Sequence, residues 1–476
     1  MAARPYREGD PTGELPAHCD RIRERLIASP VSYRKALRIM IMKSTSALSG
    51  TYSWSAVDVP FLRQVTRLAG TPEGRRLHQH LSWRGTSGQP SLTHGVPLRL
   101  HSGWRARLAA FVTAYHRLIE TIVAAHPTDE RLQQVIHIPD AWARDVVAAD
   151  DARVHFFRVD LLPQPDNGIK ALETNANSPA GLRSTGIDRA CWRPFLTERG
   201  IRLPGALPSD ARMWAGQWFL DLAEQETGTR PETVAVLRPR KTASGSTDGI
   251  VADLGQAGVR VLVGDPRDLR TENGGVTLDG EPVRCAYLKV RIAHLLRMRR
   301  DLGPFVKAVR DRTLFVQNGL CGRLIGENKL CLAVLSDPRF AGLFPPAEYT
   351  LVKPSIPWSR NIARCDAATV QEIRACPERY VLKKPLDSRG AGVVVGREEP
   401  VSSVWEDAVS LAIAERWLVQ EYCPAPWIGM DPHGQPSKHD LALGVVDGQL
   451  AAAFSRTGTE ERLNTALSGR IHPVYL

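Results

Sequence analysis

The chain has 476 residues and a mass of 52.5 kDa, and its 62 Lys plus Arg against 51 Asp plus Glu give a formal net charge of +11. With 43% hydrophobic and 24% charged residues it is not a disordered tail, a collagen-like chain or a coiled coil, and no run approaches the 18 apolar residues of a membrane span. The positive excess invites a nucleic-acid reading, but it is spread along the chain, densest at Arg297, Arg299 and Arg300, with no zinc-finger, RNA-recognition or basic-zipper pattern.

Residues 1–30 read as a polar start without the apolar core of a signal peptide, so no leader is expected. Residues 31–150 read as mainly helical. WRARLAAFVTAYHRLIETIVAAH (104–126) has apolar residues at spacings of three and four. His78 and His80 in RRLHQHL fit a surface helix better than a metal pair. The pattern then changes: VHFFRVDLL predicts a strand, PDNG a hairpin turn and IKALETN a second strand. Residues 233–291 alternate between strand and helix, as expected of a compact α/β unit with a cleft at its strand ends. Residues 292–346 read as helical, with GENKLCLAVLSDPRF (326–340) as an amphipathic helix. Residues 347–476 return to strands. The eight cysteines show neither C-x-x-C nor zinc-ligand spacing, which suits a reduced, cytoplasmic protein.

Only 11 of the basic residues are lysines, so the position of each is informative. YVLKKPLDSRGAGVVVG (380–396) carries Lys383 and Lys384 on a strand. Ser388, Gly390 and Gly392 follow in a loop, and then a second strand. A lysine at a strand end beside a glycine-bearing loop suits nucleotide phosphates, with an ammonium as point charge and loop N–H groups closing over oxygens. It is not a Walker loop, since G-x-x-x-x-G-K is absent; a plain hairpin is the alternative. Lys384 alternates to the other strand face. RWLVQEYCPAP (416–426) ends a strand at Gln420, Glu421 and Tyr422, able to meet an adenine edge and a ribose. Lys329 lies upstream in GENK. Glu173 and Asn175, at i and i+2 on one strand face, can share a hard cation through oxygen; a capped turn closing on Ser178-Pro179 is their alternative.

In this order the motifs resemble the ATP-grasp superfamily, and the early Glu173-Thr174-Asn175 resembles its circularly permuted members, eukaryotic-type glutathione synthetase and glutathionylspermidine synthetase. The resemblance extends from about residue 154 to the end. It implies an α+β or α/β chain with a permuted ATP-grasp fold. The parts would be a helical region over 1–150, a metal-binding strand pair over 151–203, an α/β substrate-binding unit over 204–295 and nucleotide-binding subdomains over 296–476. It implies ATP and Mg²⁺, with Lys329, Lys383, Ser388, Gly390, Gly392, Gln420, Glu421 and Tyr422 around the nucleotide. Glu173 and Asn175 would meet the metal, with Asp387 and Asp440 both open as a third ligand. Arg158 and Arg456 would act on the acyl group, with Asp160, Ser178, Arg291 and Asn464 near the substrates.

The activity this implies is a carboxylate–amine ligase acting through an acyl phosphate. It would join a small acid, amino acid or peptide to an amine, as in specialised-metabolite biosynthesis. Small-molecule substrates are then the partners, without nucleic acid or membrane; a homodimer stays open. The alternatives are a kinase-like phosphotransferase on the same fold and a basic nucleic-acid-binding protein. The sequence has departures from the family pattern: Lys384 is inserted before Pro385, and Leu441-Ala442 follow Asp440 where an arginine is usual.

Overall fold

The computed structural model describes residues 54–81, 93–149, 153–177, 179–240, 242, 245–272, 274–387, 392–399, 402–430, 436–463 and 469–476. Helices α1 (Val59–Ala69) and α2 (Pro72–Leu81) precede β1 (Thr93–His94), β2 (Leu98–Arg99) and the long α3 (Trp104–Ala125). Helices α4 (Glu130–Val135) and α5 (Ala141–Ala149) lead to the hairpin of β3 (Phe156–Pro163) and β4 (Ile169–Asn175), then α6 (Leu182–Thr197) and α7 (Trp214–Thr227). Next come β5 (Thr233–Leu237), α8 (Gly245–Gln256), β6 (Arg260–Gly264), β7 (Arg270–Glu272), β8 (Gly275–Leu278), β9 (Glu281–Pro282) and β10 (Cys285–Leu288). Helices α9 (Ile292–Met298) and α10 (Gly303–Arg310), strand β11 (Phe315–Val316), a π turn at Gly322–Gly326, α11 (Cys331–Ser336) and α12 (Pro346–Val352) follow. The remainder is β12 (Ser359–Asn361), α13 (Ala367–Ala375), β13 (Tyr380–Lys383), β14 (Val393–Val395), α14 (Ser402–Ala414), β15 (Leu418–Glu421), β16 (Trp427–Met430), β17 (Pro436–His439), β18 (Leu441–Val446), β19 (Gln449–Gly458) and β20 (Arg470–Tyr475).

The architecture is mixed α/β, with four sheets among the described residues. The largest runs β1-β20-β19-β18-β3-β4, with β2 also on β20 and β17 also on β19. A parallel sheet runs β11-β10-β5-β6, an antiparallel one β12-β15-β13-β14, and β7-β8-β9 form a small meander. Strand β3 is buried along its whole length, so its sequence serves two faces. Phe157, Val159 and Leu161 enter one hydrophobic cluster, where His116 of α3 stacks on Phe157 and the Tyr115 hydroxyl meets Thr174 Oγ1 at 2.8 Å. The other face carries Phe156 beside Ala442, Ala452 and Phe454 in a second cluster, and the polar pair Arg158 and Asp160. Strand β5 likewise puts Ala235 and Leu237 into the first cluster and Val234 and Val236 into the second, the both-sided burial expected of a parallel strand. Helix α3 is the one described helix long and apolar enough to cross a membrane; here Phe111, Tyr115, Ile119 and Ile122 pack into the core.

The described part of the N-terminal region is mainly helical, and its two short strands, β1 and β2, pair in parallel with β20. Two-residue strands carry no readable period, and only their partner 370 or so residues away makes them strands. The 326–340 segment is not an amphipathic helix: α11 spans Cys331–Ser336 alone and is buried on every side. The parallel sheet also continues past residue 295, to β11.

Candidate functional site

The site forms on the second face of the large sheet. A bulge in the β3–β4 pairing leaves Asp160 opposite Glu173 and Arg158 opposite Asn175, so all four side chains share that face. Beyond β3, β18 sets Ala442 against Asp160 and Gly444 against Arg158. A Cβ at Gly444 would lie 2.7 Å from Leu182, so the start of α6 packs directly on β18 there. Arg158 donates to Asp160 through Nε at 2.6 Å and Nη2 at 2.8 Å, and through Nη1 to the Ala180 carbonyl at 3.0 Å. From β19, Arg456 donates to Asp440 through its backbone N–H and Nε, both at 2.7 Å, and its Nη2 lies 3.0 Å from Asp160.

Two guanidiniums thus enclose Asp160, which is 1% exposed. Burial alone would raise its carboxyl, but Arg158 and Arg456 outweigh burial and hold it below the ordinary carboxylate range. Asp440 goes the other way: burial pushes its carboxyl up, with Asp160 adding and Arg456 opposing. Burial lowers the Arg456 guanidinium's affinity for its proton, but Asp160 and Asp440 outweigh that and raise it.

Two lysines reach the same place from separate parts of the chain. Lys329, in the turn between the π turn and α11, sits 3.4 Å from Glu173 Oε2 and donates to the Asp387 carbonyl at 2.6 Å. Its backbone N–H donates to the Pro385 carbonyl at 3.1 Å, which ties this turn to the loop after β13. Lys383, at the end of β13, donates to the Leu172 carbonyl at 3.0 Å and to Gln420 Oε1 at 2.7 Å. Burial lowers it to about 8, against the pull of Glu173. Both ammoniums therefore lie against residues 172–173 of β4.

The remaining sequence-derived residues fall in different places. Asp387 and Gly392 frame the loop base. Gly392 has φ +66°, and a Cβ there would lie 2.9 Å from Asp387 Oδ2; Lys384 N–H donates to the Gly392 carbonyl at 2.7 Å. Gln420 is buried, and its amide accepts from Lys383 and donates to Ser359 Oγ. Glu421 is exposed and accepts from Trp358 N–H at 3.3 Å, and Tyr422 donates to Glu461 at 2.6 Å beneath the Arg397 guanidinium. Arg291 is the N-cap of α9, with its guanidinium near His294, and its neighbour Ile292 donates through its N–H to Asn177. Ser178, Ser388, Gly390 and Asn464 lie outside the described residues.

Two residues escaped the sequence reading. Glu327 accepts from the backbone N–H groups of Ala176 and Asn177, and its carboxyl is raised by burial in spite of Lys329. Asn177 accepts from Ile292 N–H at 3.1 Å and donates to the Arg323 carbonyl at 3.2 Å. Together they fasten the exit of β4 to the Lys329 turn and to α9. Their signal was adjacency: Glu327 lies within GENK and Asn177 two residues past Asn175.

Among the described residues no group of three or more His, Cys, Asp or Glu is arranged to hold a metal by itself. The donors at β4 nevertheless suit a hard cation. Glu173 offers a partly exposed carboxylate and Asn175 an amide oxygen, and Mg²⁺ ordinarily takes only one or two protein ligands, with water and phosphate oxygens completing its shell. Asp160 and Asp440 have both oxygens committed to arginines or Asn175.

No family model matches the chain, and no curated protein matches it. Among solved structures it is similar to a glutathione synthetase-like effector from Globodera pallida in its apo form. That likeness has a TM-score of 0.54 at 13% identity, over 88% of this chain and 98% of that one. The two chains share a fold.

Proposed function

We propose that the chain is an ATP- and Mg²⁺-dependent carboxylate–amine ligase of the circularly permuted ATP-grasp type. The observation that carries the reading is the meeting of Lys329 and Lys383, 54 residues apart in sequence, at the Glu173 end of β4. The fold likeness to a glutathione synthetase-like effector supports it. Bound Mg-ATP would supply a γ-phosphoryl group that activates a carboxylate as an acyl phosphate for attack by an amine.

The residues supply the electrostatics. A carboxylate and a triphosphate repel, and two ammoniums in a buried setting offset that repulsion where charge spreads. Glu173 and Asn175 would hold the cation, with Asp387, linked to Glu173 through Lys329, as a third ligand. Arg456 and Arg158, locked by Asp160 and Asp440, present fixed positive charge whose geometry costs nothing to organise when substrate arrives. Among the described residues no Ser–His–Asp set accompanies them, and this chemistry needs none.

The substrates in this proposal are a small acid and an amine, in a cytoplasmic enzyme without nucleic-acid or membrane partners. The test is amine-dependent release of ADP and phosphate from paired acids and amines, with products read by mass. A condensed product lost from Lys329→Ala supports the ligase. A phosphorylated acid as final product supports a phosphotransferase instead. No nucleotide turnover with any pair rejects both.

A further inference from the structure

The chain crosses from the β12-β15-β13-β14 sheet to the large sheet through residues 422–426, between β15 and β16. Beside this crossing the two sheets are also joined by side chains of the connection after β19. Glu461 accepts from the Tyr422 hydroxyl through Oε2 and from Lys438 Nζ through Oε1, both at 2.6 Å. Tyr422 directly follows β15, and Lys438 lies on β17 of the large sheet. One carboxylate therefore bridges the two sheets.

The surroundings make this bridge firm. The Lys438 and Glu461 side chains are 12% and 19% exposed, well below an ordinary surface pair. Burial raises the Glu461 carboxyl, but the bonds from Lys438 and Tyr422 outweigh burial and lower it. The Arg397 guanidinium lies 4.6 Å over the Tyr422 ring, and the Tyr422 N–H donates to the Arg379 carbonyl at 2.8 Å. Arg462, next to Glu461, extends the same joint to β14. Its Nη1 donates to the Val393 carbonyl at 3.5 Å, and its Nε lies 3.7 Å from Glu398.

Glu461 follows Arg456 by five residues, and Tyr422 follows Gln420, the partner of Lys383, by two. The bridge thus ties the sheet bearing Lys383 to the sheet bearing Arg456 and Glu173. Lys383 itself makes another tie, by donating to the Leu172 carbonyl of β4. An ammonium that turns to phosphate oxygens gives up such a tie, whereas the Glu461 bridge uses neither site lysine. We infer, on the strength of the nucleotide reading proposed for this site, that Glu461 is a positioning residue: its bridge between Tyr422 and Lys438 sets the spacing of the two sheets across which the nucleotide lies. Small errors in such spacing carry large costs in binding and rate.

The test is hydrogen exchange of the full chain read by mass, together with calorimetric titration of a non-hydrolysable ATP analogue and Mg²⁺. In Glu461→Ala, exchange within 393–398 and 418–422 should rise severalfold, with β3 unchanged, as expected of a local opening. Affinity for the analogue should fall by about tenfold. Lys438→Met should give a similar loss, and the double variant should lose no more than either alone, because both remove one bridge. Tyr422→Phe, which deletes only the hydroxyl, carries the same test if Glu461→Ala does not fold. Unchanged exchange, unchanged affinity, or losses that add would overturn the inference. No analogue binding by wild type, with exchange still raised in Glu461→Ala, would reject the nucleotide reading and leave Glu461 as a joint between the sheets.

Discussion

Lys383 is an ammonium in a place that disfavours ammonium. Its partners, the Leu172 carbonyl and Gln420, are neutral, and burial brings it from 10.5 to about 8. The sign follows from linkage: between pH 8 and 10.5 the unfolded chain holds this proton and the folded chain gives it up, so stability rises with pH across that window. Below pH 8 the full penalty is present, on the order of 3 kcal/mol by the shift. Wild-type stability, measured by urea unfolding, should therefore rise relative to Lys383→Met between pH 8 and 10, by about 2–3 kcal/mol. A flat difference would contradict it. A cation kept at such cost is a natural partner for an anion that arrives later. At this scale the sequence identified Lys383 and Lys329 because lysine is scarce. That Gln420 meets Lys383 was not legible, since which side of β15 faces the lysine depends on its pairing with β12 and β13.

The polar face of the large sheet is the element on which the site depends. Asp160 takes hydrogen bonds or ion pairs from β3, β4 and β19 at once. Removing one member of a buried ionic set leaves the others uncompensated, at about 3–5 kcal/mol. Asp160→Asn keeps the shape and removes the charge, so its unfolding free energy should fall by that amount in urea; a loss below about 1 kcal/mol would show the arginines to be satisfied elsewhere. The hairpin β3–β4 was legible because PDNG marks the turn and alternation marks the faces, which put Glu173 and Asn175 together. Its neighbour β18 was not, because nothing local in LALGVV says that it lies beside Arg158 nearly 290 residues earlier. Likewise β1 and β2 are too short to carry a pattern, and the buried run around Lys329 has no polar face from which to read its orientation.

Across the whole molecule, the site is a meeting of four separated stretches: 158–177, 327–329, 383–387 with 392, and 440–456. The order of their motifs was readable in the chain; their convergence required the sheet. The composition now reads more narrowly. The positive excess is spread over many arginines, several of them consumed by internal pairs such as Arg183 with Asp253 and Arg189 with Asp210, while the two lysines hold the candidate anion position. The most direct measurement is calorimetric binding of a non-hydrolysable ATP analogue, with and without Mg²⁺, to wild type, Lys383→Met and Glu173→Gln. Saturable binding that requires Mg²⁺ and weakens by about tenfold or more in each variant is predicted, as expected for loss of a charged contact to phosphate or metal. Absent binding, or equal affinity in all three proteins, would contradict the assignment of this site to a nucleotide.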